Sequence, residues 1–359
     1  MNDLQKRLKN NIETLCSVMS VSGFERRATS ELRAIIGSDF DDMQTDAVGN
    51  HLFFKRCGRE DAPVCLVDAH FDEIGMLVTE ICEGGFLRFC NIGGLSLSVL
   101  QAADVVIYGK ETIRGVITST PPHLRDGSSD KLSEIDELMI DTGYSKERLE
   151  SIAPVGTPVG FLPVYSQLIG GRIAGKSFDD KACAAVCAAA IADTPREELA
   201  ADVCLMLSCV EETSRTGGIA PAVNSLQPDY AMVVDVNLAK VPDTPKCETV
   251  PMGKGISISL SAATDRALSL QVAELCQAGD IPHTMVAAPS STGTNAPTVN
   301  LSGAGIPVVD IGLPLANMHT YNEVIDLDDC QSLYRLTRAF ITDAALAEKF
   351  TRQGEELPV

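Results

Sequence analysis

Residues 203–212 read Val-Cys-Leu-Met-Leu-Ser-Cys-Val-Glu-Glu, an almost unbroken apolar run closed by two adjacent acids. A strand without polar alternation is buried on both faces, the habit of a parallel strand between layers of helices. Shorter runs of the same kind lie before and after it: Val64–Val67, Ala231–Val234 and Ile306–Ile311. Helical periods fill the gaps, at Asp180–Ile191, Arg266–Ala278 and Ser332–Phe350, the last two amphipathic. At the start, Leu4, Leu8, Ile12, Leu15 and Val18 form one helical stripe, Ser22-Gly23 interrupts, and Glu25 to Ile36 predicts a second helix. Strands alternating with helices predict an α/β fold, a mostly parallel sheet sandwiched by helices.

Between Ile74 and Pro163 the texture changes. Short segments such as Gly85–Phe89 and Val105–Tyr108 are separated by Gly, Pro and charge, which predicts a small β module. Ser133–Met139 and Ser145–Ile152 read as helical or turn pieces near its end. A chain of 359 residues is long enough for two domains. The division is therefore a discontinuous α/β domain, residues 1–73 and 165–359, carrying an inserted β-barrel-like domain at 74–164. Gln353–Val359 reads as a loose tail.

Composition excludes some classes. Lys plus Arg is 29 against 49 for Asp plus Glu, a formal charge of −20. That field repels phosphate backbones, so neither nucleic acid nor an anionic membrane is the expected partner. The longest apolar run, Ala182–Ala192, falls well short of the ~20 residues that span a bilayer. The charged N-terminal segment lacks the apolar core of a secretion signal. The twelve cysteines include no Cys-x-x-Cys, so free buried thiols and a cytoplasmic location are expected.

In open α/β sheets, ligands bind beyond the carboxyl ends of the strands. Here those ends carry metal-type residues: His70 and Asp72 after the first strand, Glu211 and Glu212 after the second, and Asp235 after the third. His319 follows the fourth in a short loop, and Asp179-Asp180 opens the Ala-rich helix. Each has an ordinary reading alone. An acid pair solvates a loop, Asp179 or Asp180 caps a helix, Asp235 ends a strand, and a single His-x-Asp is a surface pair. Converging at one sheet edge, they form a charge cluster that divalent cations neutralise. Mixed N and O donors without thiolate suit zinc, cobalt or manganese.

The pattern around these residues resembles the tetrahedral (TET-type), glutamyl or deblocking aminopeptidases, some of which were once labelled endoglucanases. The matching pieces, in order, are Ser20–Glu25, Asp46–Asn50, Ala69–Gly75, Pro121–Leu124, Gly175–Lys181, Glu211-Glu212, Val234–Val236 and Asn317–Thr320. The resemblance implies two divalent ions, zinc first, with His70 and Asp235 on one, Glu212 and His319 on the other, and Asp179 bridging. It implies Glu211 as general base and Asp72 as the group that orients His70. The implied reaction removes N-terminal residues from short peptides through a metal-activated water. It also implies a homo-oligomer, with dimers formed through the insert and possible assembly into a dodecamer.

The chain departs from the family pattern in places. Ser214 stands for a glycine after Glu-Glu, Asn295 for an aspartate, Lys181 for an arginine, and Ala316-Asn317 for Arg-Tyr. None removes a proposed ligand or the base. They bear on substrate preference and turnover, and Arg215 beside the loop reads as a solvated side chain or a selector of acidic residues. Gly293 reads as a plain turn or a close approach to a ligand. His51 and His283 read as structural, Cys183 and Cys187 as core. His123 reads as a loop residue or a contact with a neighbouring subunit's site. Alternatives are another dinuclear amidohydrolase, of deacylase or carboxypeptidase type, and a catalytically weak binding or structural member. A glycosidase is disfavoured: it would act through two carboxylates without metal, and no Trp is present to stack on sugars.

Overall fold

The computed structural model describes residues 1–119, 134–213, 217–245, 249–289 and 291–351. The first part carries α1 (Asp3–Ser17), α2 (Thr29–Ile35), β1 (Asp42–Thr45), β2 (His51–Lys55) and β3 (Val64–His70). Next come β4 (Gly75–Ile81), β5 (Phe86–Ile92), β6 (Asp104–Tyr108), β7 (Thr112–Ser119), β8 (Leu138–Asp141), α3 (Lys146–Ile152) and β9 (Pro158–Phe161). The chain continues through β10 (Ser166–Gln167), β11 (Arg172–Gly175), α4 (Phe178–Ala192), β12 (Asp202–Ser208), α5 (Ile219–Leu226) and β13 (Tyr230–Leu238). It ends with β14 (Ile256–Ser261), α6 (Arg266–Ala278), β15 (His283–Ala288), α7 (Ala296–Asn300), β16 (Val308–Leu315), β17 (Glu323–Asp326), α8 (Leu327–Thr342) and α9 (Ala344–Phe350).

Eight strands form the central sheet in the order β1-β2-β12-β3-β13-β16-β14-β15. Its middle four, β12, β3, β13 and β16, are parallel to one another. β2 and β14 run antiparallel to those neighbours, so the sheet is mixed with a parallel centre. The apolar runs occupy that centre, where both faces are covered. On one face, Leu8, Ile12 and Leu15 of α1 pack with the alanines of α4 and with Leu333 and Leu336 of α8. Small side chains let α4 lie close to the sheet, and Cys183 and Cys187 are part of this core. α5 and α7 cover part of the other face through Val223 and Val299.

β4 to β9 close into a separate barrel, in the order β4-β5-β8-β7-β6-β9, with its own core. In β7 the alternation sends Ile113 and Ile117 inward and Thr112, Arg114 and Val116 outward. A closed barrel removes the free strand edges that an open sheet would expose. A small three-stranded sheet, β10-β11-β17, is joined to the end of β16 by the Ala316–Val324 bridge.

Several boundaries differ from the sequence reading. Ser332–Phe350 divides into α8 and α9, because the Asp343 carboxylate accepts the Leu346 N–H and starts a new helix. Glu25–Ile36 begins with a 3-10 turn at Glu25–Ala28. Met139 lies in β8 rather than in a helical piece. β13 continues past Asp235 to Leu238, paired along its length with β16, so Asp235 is not a strand-end residue. Pro121–Leu124 with His123, Ser214, Arg215 and Gln353–Val359 lie outside the described residues. Among the described residues, no helix is long and apolar enough to cross a membrane.

Candidate metal centre

The parallel centre of the sheet sends β3, β12, β13 and β16 out on one edge. His70 is the last residue of β3, and Phe71 continues the ladder with its N–H on the Ser208 carbonyl at 2.7 Å. That step carries Asp72 beside the loop leaving β12. The Asp72 carboxylate accepts the N–H of Glu211 at 3.0 Å and of Glu212 at 3.1 Å. Two of the sequence motifs hold the same loop. Glu25 accepts the Val210 N–H at 3.0 Å, and Asn50 accepts the Cys209 N–H at 3.0 Å. Val210 has φ +60°, unfavourable for a β-branched residue, so the loop depends on these acceptors.

The structure brings all five proposed ligands together. One oxygen of Asp179 lies 3.0 Å from His70 Nε2, and Asp235 lies 3.7 Å from the same nitrogen. The other oxygen of Asp179 lies 3.6 Å from His319 Nε2, and Glu212 lies 3.5 Å from that nitrogen. Donor atoms of His70, Asp179 and Glu212 all fall within 4.8 Å of one another. Glu211 Oε2 stands 4.0 Å from His70 Nε2, at the side of the cluster. Tetrahedral ligands about 2.0–2.1 Å from one ion stand roughly 3.3–3.5 Å apart, so both pairs have separations that suit a shared ion.

The His70 ring is set by the main chain. Its Nδ1 lies 3.1 Å from the Asp72 carbonyl oxygen and 3.6 Å from the Asp72 carboxylate. The carbonyl is the nearer partner, and the carboxylate, which also holds the Glu211–Glu212 loop, keeps its charge beside the ring. A histidine held at one nitrogen by a carbonyl presents the other to a metal.

Electrostatics give the same picture. Burial and then the charge of Asp179 push Glu212 well above the usual carboxylate range. Burial, opposed by His70 and reinforced by Asp180 and Asp179, does the same to Asp235. Burial also raises Glu211, with Asp72 and Asp179 adding to it. For His70, burial opposes its charge, yet Asp179, Asp72, Asp235 and Glu211 lift it well above its usual range. Acids that hold protons for lack of a counter-charge are acids that a cation will discharge. The donor set therefore fits divalent metal.

A cleft of about 630 Å³ opens beside Glu211 and Glu212, lined also by Thr213, Ser291, Gly293 and Thr294. Gly293 sits on this cleft wall with φ +77°. Asn295 is buried behind it, and its amide donates to the Asp68 carboxylate at 3.1 Å and to Ser208 Oγ at 3.0 Å. An amide suits this place because a second carboxylate there would face Asp68 as a like charge. His51 is buried in β2 with Nε2 3.0 Å from Thr29 Oγ1, and His283 Nδ1 lies 2.9 Å from the Ile281 carbonyl.

Two buried acids at this edge escaped the sequence reading. Glu73, quoted only as part of a motif, accepts from Lys176 and Ser177 in short contacts and lies 3.2 Å from Lys181 Nζ. Glu323 accepts the N–H groups of Asp179 and His319. The one sequence signal for it is an acid four residues past His319.

A family model described as M42 glutamyl aminopeptidase matches residues 49–336. M42 peptidases are metallopeptidases. A lysyl aminopeptidase from Pyrococcus furiosus is 29% identical over 90% of this chain and 93% of its own length. A TET aminopeptidase from a Thaumarchaeota archaeon of marine sediment superposes with a TM-score of 0.88, at 28% identity over 97% of this chain and 100% of that one. The TET1 peptidase of Pyrococcus horikoshii, which assembles into a tetrahedron or a large octahedral shell, has a TM-score of 0.81 at 26% identity. That match covers 94% of this chain and 99% of its own. With the family model spanning most of the sequence and a donor cluster at the sheet edge, the chain belongs to the M42 glutamyl aminopeptidase family and is a metalloaminopeptidase, a hydrolase acting on peptide bonds.

Proposed function

We propose that the enzyme removes N-terminal residues from short peptides with two divalent ions held by His70, Asp179, Glu212, Asp235 and His319. The observation that carries this reading is the divided carboxylate of Asp179, one oxygen facing the His70–Asp235 pair and the other the His319–Glu212 pair. Zinc is the first assignment, and cobalt and manganese suit the same donors. When bound, such ions supply Lewis acidity, which lowers the pKa of water and polarises a carbonyl.

The chain's own groups do the rest. Glu211, at the cleft wall, takes the proton of the attacking water and delivers it to the leaving amine. Asp72 holds Glu211 and Glu212 by their backbone N–H groups, so that base and ligand keep a constant separation. The acids around the cleft attract the ammonium of a free N-terminus, which suits removal of terminal residues.

We assign the α/β domain to residues 1–73 and 165–359 and the insert to 74–164, and propose the insert as the dimer contact. Assembly of dimers into a dodecamer is supported by the shells that the TET1 relative forms. The acidic charge and the free thiols support a cytoplasmic enzyme that binds neither nucleic acid nor membrane.

The test combines metal counting with hydrolysis of aminoacyl-p-nitroanilides bearing acidic, basic and aliphatic residues. Metal-stripped protein should be silent and should regain turnover when two equivalents of zinc, cobalt or manganese are restored. Full metal uptake with no turnover on any residue, in free or acylated form, would leave a binding role and refute the proposal.

A further inference from the structure

Glu323 lies in β17, four residues beyond His319, and is 1% exposed. One of its oxygens accepts the His319 N–H at 3.2 Å, and the other accepts the Asp179 N–H at 3.1 Å. The Phe178 N–H points to the same carboxylate. One side chain thus joins the backbones of Asp179 and His319, 140 residues apart in sequence, and both carry proposed ligands of the same ion. β17 pairs with β11, which sets Glu323 opposite Gly175, just ahead of the turn into α4. Its position is therefore fixed by sheet register and not by the loop it serves.

His319 needs such an anchor. Its backbone has φ +61°, a region that costs a residue with a side chain on the order of 1 kcal/mol. Asn317, two residues earlier, is also left-handed, with φ +60°. Mutual backbone hydrogen bonds between Ala316 and Val324, both 3.0 Å, close this loop. Inside it Thr320 Oγ1 donates to the Asn317 carbonyl at 2.8 Å and the His319 carbonyl accepts the Ser96 N–H at 3.2 Å, while the His319 N–H is held by Glu323. The imidazole side chain remains 36% exposed, so packing alone does not hold it. His70 and Asp235, by contrast, stand within or at the end of central strands and need no comparable support.

We infer that Glu323 is a positioning residue that ties the backbones of Asp179 and His319 together and thereby sets one of the two metal positions. The inference rests on the two-ion reading above. Removing the tie is expected to weaken most the ion held by His319 and Glu212, whose histidine loses its backbone anchor, and to reach the ion held by His70 and Asp235 only through the shared Asp179.

Two variants separate reach from charge. Glu323→Gln keeps the length but replaces one accepting oxygen with a donor, and Glu323→Asp keeps the charge but withdraws it from both N–H groups. Metal-free wild type and variants are titrated with zinc by calorimetry, and their metal-free stability is measured in urea. The expected result is one equivalent bound within a few-fold of wild type and the other weakened 10- to 100-fold, the range for lost support behind a metal ligand. Lost kcat should return at raised free zinc with KM unchanged. Either folded variant serves if the other fails to fold. Two equivalents bound at wild-type affinity would overturn the proposal, as would loss of metal-free stability alone. A wild type that takes up only one equivalent would instead refute the two-ion reading, before any variant is considered.

Discussion

Glu73→Gln tests how much of this fold rests on one buried charge. Glu73 is 1% exposed, with Lys176 at 1% and Lys181 at 0%. Burial alone would raise its pKa, yet the two ammonium groups and the Ser177 hydroxyl hold it down to about 2 from 4.5. A shift of that size corresponds to about 3 kcal/mol favouring the ionised folded state. The folded pKa is depressed, so this stability is present above pH 4.5 and is lost as pH falls from there towards 2. The variant keeps the shape and leaves two buried ammonium groups without their counter-charge, a change that costs about 3–5 kcal/mol. The assay is urea denaturation of metal-free wild type and variant at pH 7, followed by circular dichroism. The midpoint should fall by the equivalent of at least about 3 kcal/mol, and the gap should shrink as pH drops below 4.5. Adding Lys176→Met should recover at least about 1 kcal/mol relative to the sum of the single changes, because the three groups act as a unit. A variant within about 1 kcal/mol of wild type at pH 7, with no coupling to Lys176, would refute the reasoning.

Glu211→Gln should retain both metal equivalents and lose about 10²- to 10⁴-fold in kcat, which metal analysis alongside nitroanilide turnover will show. Asn295→Asp would set a second carboxylate against Asp68 in place of the donating amide, and urea midpoints at pH 7 should show a loss of about 1–3 kcal/mol. His51 is buried, which lowers its pKa from 6.5 to about 4. The unfolded chain therefore binds this proton first, and about 2–3 kcal/mol should be lost as pH falls from 6.5 to 4. His51→Gln should flatten that limb of the stability profile, and an unchanged slope would count against the buried neutral ring.

Much of the fold was legible because burial leaves a direct mark on composition. Val203–Leu207 could only be a strand covered on both faces, and the change of texture after Ile74 announced a β module. The proposed ligands were legible for a related reason: acids and histidines following apolar runs are costly unless something uses them. Adjacent Glu211 and Glu212 carried no label for base and ligand, and only the resemblance distinguished them.

Tertiary structure decided what depends on distant segments meeting. Asp235 lies within β13, because pairing with β16 carries that strand four residues further than its apolar run. The His70 ring bonds to a backbone carbonyl, a partner that no side-chain pattern encodes. Glu25 and Asn50 proved to be acceptors for the loop after β12, a role that exists only once helix, strand and loop are packed. Glu73 and Glu323 resemble surface acids in the sequence, and folding buries Glu73 against Lys176 and Lys181 and Glu323 against the Asp179 backbone. Periodicity and composition record how each segment meets solvent, whereas a hydrogen bond across 144 residues is set by sheet register and loop closure. The sequence by itself therefore determined the layers and the donor atoms, and the packed fold determined which backbone holds each donor in place.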